Sequence, residues 1–415
     1  MRRRRKIAVF CSQLLDYGGA ERLVFEEATH LREAGWDVEV AALRFDPKVR
    51  FAGAYGEPVR ELSGSATPGR VGKAGSFVAW ELALARWLLG SRPDLVIALS
   101  ATDCALLWAP AALARVPYIT HINGTIFWFP TDRTKYSLVH RRGLRRILDV
   151  SPFSREFVPS RRPAMALRVR LKSEAAALVH WLGVRGAQRR VTFSRRMAWE
   201  VRQLYGVAAE ELKGAFPEAA LRYEPKGDPL GRFRIAGGPV VLNVNRLESR
   251  KRVELAVRAF AAVAADRPDV SLVIGGLGPD AEQIDALIKD LALSSRVFRA
   301  GFIPEADLPD WIGAREVFIH PNWAEFAIAP YEALALGKKV IWSSEMEMDP
   351  EVAATGLVYV ADPQVGPMAA QLARALDAPA PDRAVTAKLR RYSWETYFEA
   401  LERTAAEAAR RPGRR

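Results

Sequence analysis

Arg246 and Lys251 stand five residues apart in the turn that follows the apolar run PVVLNVNRL. Two cations at that spacing can clamp a diphosphate: a guanidinium forks onto two oxygens while an ammonium adds a point charge. The next run, RVELAVRAFAAVAAD, carries apolar residues at helical spacing, so a helix start aims its N–H groups at the same anion. The competing reading is two solvated charges at the start of a helix. Cations oppose the helix dipole at that end, so an anionic ligand would resolve the conflict.

The elements that must hold this turn follow in order. SLVIGG reads as a buried strand and ends in Gly275-Gly276-Leu277-Gly278-Pro279, a turn where backbone approaches backbone or ligand closely. The helix AEQIDALIKDLAL leads to the strand RVFRAGFI, the short helix ADLPDWIGA, the strand VFIHP and the stretch NWAEFAIAPYEALALGKKV. Strand and helix alternate, which predicts an α/β fold with parallel sheets and ligands at the carboxyl ends of the strands.

VLNVNRLESRKRVELAVRAF, LVIGGLGPD, RVFRAGFIPEADLPDWIGAREVFIHPN and EFAIAPYEALALGKKVI together resemble the C-terminal domain of family 4, group 1, retaining glycosyltransferases. The resemblance implies a GT-B fold, two Rossmann-like parallel-sheet domains facing across a cleft, with a C-terminal helix crossing back to the N-domain. It also implies a nucleotide-diphosphate sugar as donor. Arg246 and Lys251 then match the family's diphosphate ligands, and Glu332 matches the glutamate that binds the ribose. Gly301 to Ile303 resembles the backbone that reads the base, and Gly276, Phe326, Ala327, Ile328 and Ala329 line the donor. His121 matches a histidine that contacts the donor sugar from the other domain, and Gly18 and Gly19, in GGAER, match a first loop near donor or acceptor.

Two places depart from the family pattern. The first glutamate of its E-x7-E element would stand at Ala324, and Glu325 comes one residue late, with six residues before Glu332. A loop shifted by one residue would still bring Glu325 to the sugar, and Glu325 is retained as a catalytic candidate on that ground. The second departure is SSEMEMDPEVAATG, where Glu345, Glu347, Asp349 and Glu351 replace a glycine turn. Acids at period two could hold a divalent cation. Pro350 and a loop setting favour a solvated acidic loop instead, so the expectation is a metal-independent site with no cofactor.

At 415 residues and 49% hydrophobic, the chain has the length for two well-cored domains. The net charge of +13 favours an anionic partner. Cys11 and Cys104 show neither metal spacing nor a disulfide framework, which fits a reducing, cytoplasmic setting. IAVFC near the N-terminus is too short for a signal peptide and reads as a first strand. Leu95 to Ala114 is interrupted by Asp103 and Pro110, so it reads as a strand and helix, not a membrane span. LVFEEATHLREAG and DVEVAAL complete a βαβ start without G-x-G-x-x-G spacing. VTFSRRMAWEVRQLYG resembles the last strand, serine (Ser194) and helix of the family's N-domain.

Over residues 131–190, fifteen lysines and arginines oppose four acids, with Phe127, Trp128 and Phe129 just before and Trp181 within. Cations interleaved with aromatics suit an anionic membrane surface, at about 1 kcal/mol per nearby cation. No nucleic-acid recognition signature accompanies them. The expected organisation is an N-terminal domain over 1–215 with this basic insertion, a Pro- and Gly-punctuated linker over 216–238, a nucleotide-sugar-binding domain over 239–385 and a returning helix over 386–409, with Trp394 as its anchor. The activity expected is retaining transfer to a glycan or lipid-linked acceptor hydroxyl, peripheral on the inner membrane face. A sugar-nucleotide epimerase on the same fold, and a degenerate relative binding lipid or a partner through its basic face, are the alternatives.

Overall fold

The computed structural model describes residues 5–410 except 16–18, 49–55, 57, 64–72, 123, 125–131, 157, 159–163, 234, 236 and 324–325. The chain divides into two compact units, Met1–Leu212 with Phe398–Arg415, and Lys213–Tyr397.

The first unit is built from β1 Lys6–Leu14, α1 Gly19–Glu33, β2 Asp37–Phe45, β3 Arg60–Glu61, α2 Lys73–Ser91, β4 Leu95–Ala98, α3 Ala101–Ala114, β5 Tyr118–Ile122, α4 Arg141–Asp149, α5 Leu167–Gly186, β6 Arg189–Thr192, α6 Arg195–Tyr205 and β7 Glu210–Glu211. Its seven strands are parallel in the order β3-β2-β1-β4-β5-β6-β7, the doubly wound arrangement. The stretch 95–114 is β4 and α3 as expected. Ser100 caps α3 by accepting the Asp103 N–H, and Ser194 caps α6 by accepting that of Met197, each quenching an orphan donor of a first turn. Gly206 ends α6 in the left-handed region.

The second unit contains β8 Val240–Val244, α7 Val253–Ala264, β9 Ser271–Gly275, α8 Ala281–Asp290, β10 Val297–Gly301, α9 Leu308–Gly313, β11 Val317–His320, α10 Ile328–Ala335, β12 Lys339–Ser343, α11 Pro350–Ala353, β13 Val358–Ala361, α12 Val365–Asp377 and the start of α13 Trp394–Ala408. Six parallel strands run β10-β9-β8-β11-β12-β13. Alternate residues feed two cores: Val317 and Ile319 of β11 enter one, Phe318 the other. A parallel sheet covered on both faces needs such continuously apolar strands.

The stretch 216–238 is not a free tether. Phe216, Ala220 and Leu230 enter the second unit's core, and Phe216 bridges Ser393. Pro and Gly there punctuate short 3-10 turns, Glu218–Arg222 and Pro229–Arg232, whose apolar residues still find the core. Trp394 does anchor the start of α13: its backbone N–H donates to Phe216, and its ring lies where a Cβ on Gly214 would stand, 2.7 Å away. From Phe398 onward α13 belongs to the first unit, where Phe398 stacks on His30 and Glu407 pairs with Arg189.

Candidate active site at the switch point of the second sheet

Strand order reverses between β8 and β11, and in open α/β sheets the crevice beyond that point receives the ligand. Arg246 and Lys251 both leave β8 at this place. Arg246 is exposed and makes no ion pair with a described residue. Lys251 closes the 3-10 turn Ser249–Lys251, half-buried, and α7 starts two residues later with no side chain capping it. Cation, cation and open helix start therefore share one turn, the combination that holds a phosphate group.

That turn is held down by backbone. Leu247 donates to Leu277 at 2.9 Å, Asp280 donates back to Leu247 at 3.0 Å, and Asn245 donates to Gly275 at 3.1 Å. The two loops lie so close that a Cβ on Gly276 would sit 1.8 Å from the Asn245 carbonyl oxygen, and one on Gly278 2.2 Å from that of Leu247. Gly276 thus packs one loop onto the other. Ile303 fills the space beside Gly275 with its side chain, in the core.

Beneath the cations runs a polar ladder that sequence reasoning missed. Asn243 donates to Ile319 at 2.7 Å, the Asn245 amide lies 3.5 Å from His320 Nδ1, and Asn322 donates to Asn245 at 3.4 Å. All but Asn245 are fully buried. Burial, with the Lys251 charge nearby, holds the His320 imidazole well below its ordinary pKa, so it stays neutral.

Arg252, adjacent to Lys251, was also missed. Its φ of 49° is in the left-handed region, unusual for a side chain of that size. That conformation turns the guanidinium inward, 2.7 Å from Glu345 and 3.4 Å from the Pro321 carbonyl, joining the loops after β8, β11 and β12. The acidic stretch is accordingly not a solvated loop, as the sequence suggested. Glu345 and Asp349 are buried, Asp349 pairing with Lys213 and accepting from Tyr392 at 2.6 Å, and Glu351 pairs with Arg391. The sequence signal was present in these acids, but their partners lie far along the chain.

Glu332 is half-buried on α10, which starts just beyond β11 with Ala327 at its N-cap and Ile328 and Ala329 in its first turn. Phe326 stacks on Tyr331 with ring centroids 4.8 Å apart, fixing the entry to that helix. Glu325 and Ala324 lie outside the described residues.

His121 is 1% exposed, with Nδ1 3.0 Å from Glu27 on α1 and its ring against Phe193. It is the buried partner of a carboxylate near the end of β5, a strand covered on both faces. Gly19 is the first residue of α1, not part of a loop, and Gly18 lies outside the described residues. The basic window is partly turned inward: Lys135 is buried, which pushes its ammonium down to about 8, Arg185 stacks on Trp181 and donates to Tyr205, and Arg189 pairs with Glu210. Arg141, Arg142, Arg145, Arg168, Arg170 and Lys172 remain exposed, and Phe127, Trp128 and Phe129 lie outside the described residues.

Two doubly wound parallel-sheet units, with a cation-bearing turn at the switch point of the second, are the architecture that comparison with known proteins also finds. Residues 17–213 match Glycosyltransferase Family 4 and residues 233–392 match Glycosyl transferases group 1. The chain belongs to this glycosyltransferase family. Among curated proteins, the alpha-D-kanosaminyltransferase of Streptomyces kanamyceticus is 26% identical over 65% of this chain, and the alignment spans 66% of that relative's length. Among solved structures, sucrose-phosphate synthase from Thermosynechococcus elongatus superposes with a TM-score of 0.72 at 17% identity, covering 97% of this chain and 99% of that one. Anabaena HepE in complex with UDP-glucose gives 0.67 at 16% identity, covering 97% and 99%. These neighbours share the GT-B fold.

Proposed function

We propose that this glycosyltransferase moves a sugar, with retention of configuration, from a nucleotide-diphosphate donor to an acceptor hydroxyl. The observation that carries the reading is the exposed Arg246, without an ion pair among the described residues, on the same turn as Lys251 and the uncapped start of α7. In the reaction the bond from sugar C1 to the terminal phosphate oxygen of the nucleoside diphosphate breaks, and its electron pair leaves with the nucleoside diphosphate. The acceptor oxygen bonds to C1, and its proton passes to the departing nucleoside diphosphate. The barrier lies in charge building on that leaving group, and preorganised cations and N–H dipoles lower it selectively.

Arg246 makes the forked contact and Lys251 adds a point charge. Glu332, placed on α10 by the switch point, accepts from the ribose hydroxyls, and the HepE structure with UDP-glucose is in keeping with a nucleotide-sugar donor. With these cations in place of a divalent ion, turnover continues in the presence of EDTA. The acceptor class that suits the chain's positive charge is an anionic, lipid-linked or glycan precursor at the inner membrane face. Among the described residues no helix is long and apolar enough to cross a membrane, so such a contact would be peripheral. The test is a screen of nucleotide sugars for nucleoside-diphosphate release, with wild type and Lys251→Ala in parallel. Equal release by both would remove the diphosphate role.

A further inference from the structure

The first unit carries a second feature at the opposite end of its sheet from the strands' carboxyl ends. On α2, Val78, Leu82 and Leu89 recur at spacings of four and seven and are all exposed, Leu82 at 53%. On the neighbouring α3, Trp108, Ala109, Ala112 and Leu113 form one exposed face, with Leu113 at 67%. The two stripes meet at a depression of about 880 Å³, lined by Leu89, Trp108 and Ala112 and edged by Arg92 and Arg115. Contiguous exposed apolar side chains rimmed by charge mark interaction surfaces on globular domains.

The exposed charges described on α2, on α3 and just after them are of one sign. Arg86 is exposed between Leu82 and Leu89, and Arg92 and Arg115 follow the C-terminal ends of α2 and α3 with φ of 43° and 56°. The acids are withdrawn. α2 and α3 contain one each: Asp103 is buried, accepting from Ser12 and Ser100, and Glu81 is partly buried, its carboxyl pushed up to about 7 by desolvation. Asp94 lines the depression but accepts the Lys6 backbone N–H at 2.8 Å.

We propose that this α2–α3 face rests on an anionic phospholipid bilayer, with Leu82, Leu89, Trp108 and Leu113 entering the headgroup boundary and Arg86, Arg92 and Arg115 meeting lipid phosphates. Apolar side chains flanked by cations, with a tryptophan at the rim, are what an interfacial surface requires. A second copy of this chain fits less well, because its arginines would face these. The proposal shares an anionic membrane with the proposed function but places the contact on α2 and α3 instead of residues 131–190.

The experiment is co-sedimentation of the full chain with vesicles of phosphatidylcholine alone and of equal parts phosphatidylcholine and phosphatidylglycerol, alongside nucleoside-diphosphate release and light scattering. Wild type is expected to bind the anionic vesicles and to release from them as salt rises. Leu82→Glu with Leu113→Glu lowers the partition coefficient about tenfold or more, and Arg92→Gly with Arg115→Gly, which suit the left-handed backbone, lowers it less. Nucleoside-diphosphate release in solution stays unchanged in both. Binding that survives the leucine changes, or that is lost only when Arg168, Arg170 and Lys172 become Gln, overturns the proposal, as does a dimer that the leucine changes dissociate. Absence of nucleoside-diphosphate release in wild type with vesicle binding intact would instead count against the transferase reading alone.

Discussion

A Cβ on Gly276 would stand 1.8 Å from the carbonyl oxygen of Asn245, and the glycine holds φ at 120°. The loop after β9 and the cation-bearing loop after β8 are therefore fixed to each other by the absence of one carbon. Gly276→Ala combines a backbone clash with a left-handed φ, and is expected to lower stability by about 2 kcal/mol or more and to weaken nucleotide-diphosphate binding. Gly356→Ala is the control, since its φ is 70° but nothing lies within 4 Å; only the backbone term of about 1 kcal/mol remains. Thermal melts and calorimetric titration of both variants with UDP check the contrast.

Removing either cation of the turn acts on chemistry rather than on folding. Arg246 is exposed and Lys251 half-buried, so alanine at either site should leave the melting temperature nearly unchanged. Turnover should fall on the order of 10²-fold, by analogy with the loss of one preorganised oxyanion donor. Arg246→Lys should recover little, because an ammonium cannot fork onto two phosphate oxygens. Steady-state kinetics of nucleoside-diphosphate release decides it.

Arg252 sets a local strain against a buried pair. Arg252→Gly relieves a φ of 49° worth about 1 kcal/mol but strands Glu345, which lies 2.7 Å away and is itself buried. Breaking such a pair costs about 3–5 kcal/mol, so the variant should be net destabilised. Adding Glu345→Gln removes the stranded charge and should restore part of the loss, a coupling that urea melts of the two single and one double variant would measure.

His140 gives the first unit a dependence on acidity. Its Nδ1 lies 3.2 Å from the Leu204 carbonyl, and burial pushes the imidazole down from 6.5 to about 4. The unfolded chain binds this proton first, so the contribution is full above about pH 6.5 and is lost as pH falls towards 4, worth roughly 3 kcal/mol in all. His140→Gln should flatten that part of the stability curve. A slope over this window equal to that of wild type would show that the histidine is not its source.

The alternation of strand and helix, the βαβ start, the strand and helix of residues 95–114 and the cation pair were legible in the residues, because each is written within one element or one turn. Periods of hydrophobic residues and a five-residue spacing are local properties, and local geometry follows from them. The family resemblance extended this to both sheets. It could not reveal that His121 would be claimed by Glu27, 94 positions away, or Glu345 by Arg252, 93 away. Nor did Pro and Gly in 216–238 disclose that Phe216 and Leu230 would find a core. Pairing between such residues depends on which strands become neighbours, and a parallel sheet brings together segments separated by whole crossover helices. The sequence alone thus determined the elements and the turn that carries the charge; the tertiary structure decided which buried acid meets which cation, since desolvation forces each one to take whatever partner the sheet order delivers.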